Sequence, residues 1–88
     1  MPKILRLSGG ASVVVYPGDH PPIHVHVKSK DGLLEVKVDI SGDVVREMRR
    51  ARNERIKTTN AFTRLALKGC QENLGYLQQR VRQYYEAD

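Results

Sequence analysis

Tryptophan is missing from this chain, phenylalanine occurs once, and aromatic residues make up 6% of it. The core must therefore be aliphatic, mostly Val, Ile and Leu. No apolar run approaches the roughly 20 residues that a membrane-crossing helix needs. The opening MPKILRLSGG lacks the continuous apolar stretch of a secretory leader, so a cytoplasmic protein with no membrane partner is expected. A single cysteine, Cys70, excludes an internal disulfide. It falls on an apolar stripe, which points to a buried thiol rather than a reactive one. The 88 residues suffice for one domain and not for two. A core this thin makes a homodimer a cheap way to bury more surface.

Charge is unevenly spread. Residues 1–45 hold five Lys/Arg and five Asp/Glu, whereas residues 46–88 hold ten and five. Most of the excess lies in REMRRARNERIK, residues 46–57. Arg49, Arg50, Arg52 and Arg55 are the candidate contacts to an anionic partner, RNA or DNA, through its phosphates. A solvated charged face with internal ion pairs is the alternative. The sequence has no recognisable helix-turn-helix, zinc-finger or RNA-recognition pattern to fix a target.

The pattern of elements predicts an α+β fold, an antiparallel sheet of four to five strands packed against a long C-terminal helix. KILRL (3–7) and ASVVVY (11–16) read as strands separated by Gly9-Gly10. Pro17-Gly18 suits a type II turn. Pro21 and Pro22 cannot lie inside a central strand. Two alternating runs follow, near 23–30 and 33–40, joined at Asp31-Gly32, a strong signal for a two-residue type I′ turn. That turn sets Lys28 opposite Glu35, His26 opposite Lys37 and His24 opposite Asp39. It puts Val27 by Leu34, Val25 by Val36 and Ile23 by Val38 on the apolar face. ISGDVV either turns into a fifth strand at 44–48 or caps a helix over 44–57. From 60 to 86, Phe62, Leu65, Ala66, Cys70, Leu74, Leu77, Val81 and Tyr84 recur at helical spacing. Asn60 is the expected cap, and Gly69 and Gly75 imply a close approach to the sheet or a bend.

All three histidines fall in DHPPIHVHV, residues 19–27. Three readings fit. In the first, His24 and His26 are solvent-facing residues on the polar side of the hairpin. In the second, His20, His24, His26 and Asp39 surround a zinc or another divalent ion, since H-x-H on a strand puts two imidazoles on one face. In the third, His24 or His26 is the base that activates a ribose 2′-hydroxyl, with Lys37 or Lys28 stabilising the phosphate, as in a small basic ribonuclease.

The opening MPKIL, the DHPPIHVHV segment and the helix ending YLQQRVRQYYEA resemble a widespread group of small bacterial proteins, the domain-of-unknown-function 4160 family. The matching positions are His20, Pro22, His24 and His26. Members of the family typically carry a tryptophan in the last helical turns, where this chain has Val81 and tyrosines. The resemblance implies a toxin–antitoxin-type component; together with the basic run and the histidines this leads to the expectation of a protein that binds or cleaves RNA. A non-catalytic domain that binds a small cognate protein is the rival expectation.

Overall fold

The computed structural model describes residues 3–16, 23–48 and 56–86. Among these residues five strands form one antiparallel meander in chain order: β1 (Lys3–Arg6), β2 (Ser12–Val14), β3 (His24–Lys28), β4 (Glu35–Asp39) and β5 (Arg46–Glu47). Two helices follow among the described residues, α1 (Asn60–Glu72) and α2 (Leu74–Glu86). The α+β fold expected from the sequence is the fold observed.

Alternation decides which face is buried. Val13, Val25, Val27, Val36 and Val38 lie on one side of the sheet and are essentially inaccessible. With Ile4, Ile40, Phe62, Ala66, Cys70, Leu77 and Val81 they form a single core. Helix α1 packs on β4 and β5. Gln71 and Gln78 pin the loop after β4. Val45 N–H donates to Gln71 Oε1, Gln71 Nε2 donates to the Asp43 carbonyl, and Gln78 Nε2 donates to the Ile40 and Gly42 carbonyls. At the other edge, the Tyr76 hydroxyl donates to the Ile4 carbonyl.

Several expectations need correction. The helix over 60–86 is two helices. Asn73 breaks it, with φ −119° and ψ 22°. Its side-chain amide donates to the Gly69 carbonyl and its own carbonyl accepts from Leu77 N–H, so one residue closes α1 and opens α2. The cap of α1 is Thr59, whose hydroxyl accepts from Phe62 N–H, rather than Asn60. Gly69 is a close approach as expected. A Cβ there would stand 2.6 Å from Leu7 Cδ1.

The hairpin between β3 and β4 keeps the polar pairs His24–Asp39, His26–Lys37 and Lys28–Glu35, but its apolar pairs are Val25–Val38 and Val27–Val36, two positions from those expected. The turn is not type I′. Only Gly32 has positive φ, and type I′ needs it at two successive residues. Instead Gly32 N–H donates to the Ser29 carbonyl and Ser29 N–H to the Leu34 carbonyl. Asp31 closes the loop by accepting from the Ser29 hydroxyl and from Leu33 N–H. The fifth strand exists but is only two residues long.

Candidate anion-binding cleft

The face of the sheet turned away from the core is ordered in rows, because strands in antiparallel register place opposed residues on the same side. Arg6, Ser12, Lys28 and Glu35 make one row across β1 to β4. Lys3, Val14, His26 and Lys37 make the next. His24, Asp39 and Arg46 make a third.

Lys3 and Arg6 are three residues apart and on a regular strand would face opposite ways. An irregularity between Lys3 and Leu5 adds a residue to β1, so Lys3 meets Val14 while Arg6 meets Ser12. Their partners are two apart, and both cations therefore flank the same cleft.

That cleft has a volume of about 430 Å³ and is lined by Lys3, Arg6, Lys28 and Lys30 together with Ser12, Ser29 and Asp31. Four cationic side chains thus meet one carboxylate. Asp31 is held below its ordinary value of 3.8, chiefly by the Ser29 hydroxyl and then by Leu33 N–H. Lys28 is fixed at the inner wall. Its ammonium is 5.1 Å from the Tyr16 ring centre and 3.6 Å from Glu35 Oε1. Hydrogen bonding to Tyr16 raises its pKa above the usual 10.5, burial opposes this, and the charge of Glu35 adds to it. Lys30 is positioned by its neighbour Gly10, whose φ is +82°. A Cβ on Gly10 would stand 3.0 Å from Lys30 Cδ and 3.2 Å from Lys30 Cβ and Cγ.

The histidines behave differently from the sequence expectation. His24 and His26 are 5% and 6% exposed, so neither is a solvent-facing residue. Their rings are 5.2 Å apart, and His26 meets Tyr16 edge-on at 4.3 Å. His26 Nδ1 is 3.1 Å from Glu35 Oε2, so Glu35 joins His26 to Lys28. Lys37 stands opposite His26 and is half-buried. The three residues considered for catalysis are therefore neighbours, but the imidazoles are inside the protein.

For the metal reading, His24 and Asp39 are directly opposed. Asp39 Oδ1, however, accepts from both the backbone and the hydroxyl of Ser41. Among the described residues no group of three His, Cys, Asp or Glu side chains is arranged to hold a metal ion. His20 lies outside the described residues, as do Pro17, Gly18, Pro21, Pro22, Arg49, Arg50, Arg52 and Arg55. The flanks of the arginine run are anchored on β4: Met48 N–H donates to the Lys37 carbonyl and Glu35 N–H to the Lys57 carbonyl. Cys70 is buried, and burial pushes its thiol up to about 12, so it is no nucleophile.

No family model, no curated protein and no solved structure matches this chain. Among the described residues no helix is long and apolar enough to cross a membrane. The cleft, with Tyr16 and Glu35 behind it, is thus read from the chain itself. Sequence reasoning passed over Lys3, Arg6, Lys30 and Tyr16, because the first half of the chain is electrically neutral as a sum.

Proposed function

We propose that this chain is a small RNA-binding protein that holds the phosphate backbone in the cleft formed by Lys3, Arg6, Lys28 and Lys30. The observation that carries the reading is the gathering of these four cations around one cleft of the polar sheet face, with Asp31 in the lining and Glu35 beside Lys28 as the opposing carboxylates among the described residues. Arg and Lys on a shaped surface neutralise phosphates and release counterions, which supplies affinity independent of base sequence. Ser12 stands between Arg6 and Lys28 in the same row and offers a hydroxyl donor at the floor.

Binding is favoured over cleavage. A general base must reach the proton that it removes, and both imidazoles are buried. His26 serves instead as the inner support of Glu35, which in turn faces Lys28. The toxin–antitoxin-type setting implied by the resemblance to the 4160 family accords with a role on RNA. A protein partner has less to hold. The exposed large apolar side chains among the described residues, Leu33, Val44, Tyr76 and Tyr84, are spread over the β3–β4 turn, the loop after β4 and α2.

Fluorescence anisotropy with a labelled single-stranded RNA tests the reading. The wild type should bind at low salt, and Arg6→Ala with Lys30→Ala should weaken binding at least about tenfold, the loss of two charge-assisted contacts. Equal binding by the variant removes the cleft from the account.

A further inference from the structure

We infer that the cleft takes a terminal phosphate of RNA, a phosphomonoester, in preference to the diesters of the internal backbone; this rests on the RNA-binding reading above. Three observations point there. First, charge is concentrated. Four cations, with Asp31 in the lining and Glu35 beside Lys28, surround about 430 Å³, an excess of two positive charges in one place, whereas a groove that tracks a strand spreads its cations along the path of the backbone. A phosphomonoester carries close to two negative charges at neutral pH and three strong acceptor oxygens, against one charge for a diester. Second, none of the described lining residues is aromatic, so the cleft offers no ring on which successive bases would stack. Recognition there falls on the phosphate.

Third, the cations are held in place from different directions. Arg6 and Lys28 flank Ser12 in one row across three strands. At about 4.8 Å between neighbouring strands, their backbones are separated by roughly twice that distance, a span that two long side chains can close on one phosphate group. Lys3 enters from the next row through the irregularity in β1. Lys30 enters from the β3–β4 turn, its stem packed against Gly10. Lys28, fixed by Tyr16 and Glu35, supplies a charge at the inner wall. An anion with oxygens on several sides fits this arrangement better than a diester, two of whose oxygens are committed to the chain.

The test uses the whole protein and an RNA decamer of one sequence with a phosphate at its 5′ end, at its 3′ end or at neither. A terminal phosphate at one end should tighten binding about tenfold or more over the hydroxyl-ended strand. Lys30→Met and Arg6→Met, both at exposed positions, should abolish that preference while circular dichroism and the melting temperature stay as in the wild type. Equal affinity for all three strands overturns the inference and leaves the RNA-binding reading standing. Absence of binding to every strand overturns both. Adenosine 5′-monophosphate and adenosine serve as competitors. Displacement of the strand by the monophosphate at concentrations matching the oligonucleotide's own would make a free nucleotide the ligand and would overturn the assignment to an RNA end.

Discussion

Lys30 crosses Gly10 so closely that a Cβ on Gly10 would stand 3.0 Å from Lys30 Cδ. Gly10 is also at φ +82°, a conformation that L side chains adopt only with strain. Gly10→Ala should therefore cost about 1–2 kcal/mol of stability from backbone strain and also displace Lys30 from the cleft. Gly9→Ala is the control. Its φ is +75°, but the nearest atom, Leu65 Cδ1, is 4.0 Å away. Both variants should melt lower, and only Gly10→Ala should bind RNA more weakly.

Glu35 joins two groups that the sequence does not connect. Its carboxylate is 3.1 Å from His26 Nδ1 and 3.6 Å from the Lys28 ammonium. Removing it leaves the buried imidazole without that partner, a loss of about 1–3 kcal/mol. Glu35→Ala should lower the urea midpoint, and Glu35→Gln, which keeps an acceptor, should lower it less. Identical midpoints for the two variants would mean that the negative charge, which both remove, matters there and the acceptor does not.

Gly69 illustrates opposed magnitudes. Alanine in a helix interior gains about 1 kcal/mol over glycine, but the added Cβ would lie 2.6 and 2.8 Å from the Leu7 methyls. Leu7 is packed in the core, so the overpacking cost of roughly 1–3 kcal/mol should win. Gly69→Ala should destabilise the wild type and stabilise a Leu7→Ala background. A double-mutant cycle with no coupling would show that Leu7 moves aside freely.

Much of the fold could be read from the chain because one signal repeats. Alternation from Ile23 to Val27 and from Leu34 to Ile40 gave the two central strands and the parity of their faces, and the polar pairs follow. The stripe from Phe62 to Val81 gave the helical region. What escaped depends on single residues acting across space. Asn73 splits the helix by bonding Gly69 and Leu77, which no periodicity reveals. One extra residue in β1 changes the face on which Arg6 emerges, and with it the identity of the cationic site. The burial of His24 and His26 was equally hidden, since alternation marks them as opposite the core and says nothing of what covers the second face.

Asp39 should contribute to acid sensitivity. Hydrogen bonds from the Ser41 hydroxyl, then from Ser41 N–H, hold its pKa below 3.8, with smaller help from Arg46 and His24. A depressed folded-state pKa gives stability that is present above the ordinary value and lost as pH falls through the folded one. The wild type should exceed Asp39→Asn in stability at neutral pH, by less than about 1 kcal/mol at this half-exposed site, and the gap should close below pH 3.8. Ser41→Ala should narrow the neutral-pH advantage. An advantage that persists unchanged into acid would assign it to something other than the charge on Asp39.

Salt dependence separates the cleft from the arginine run. For single strands each neutralised phosphate adds about −0.7 to the slope of log affinity against log salt. Lys3 and Arg6 line one cleft, so Lys3→Ala with Arg6→Ala should make the slope shallower by about 0.7, the share of the single phosphate held there. The weakening should be alike for RNAs of different sequence, because phosphate contacts carry no base information. Arg49→Ala with Arg52→Ala probes the basic run in the same way. An unchanged slope in the Lys3 and Arg6 variant, with a loss in the Arg49 and Arg52 variant, would move the phosphate contacts from the sheet face to residues 46–57. A slope reduced in the cleft variant alone would place them in the cleft, where the β1 irregularity brings two cations of a neutral half-chain to one side.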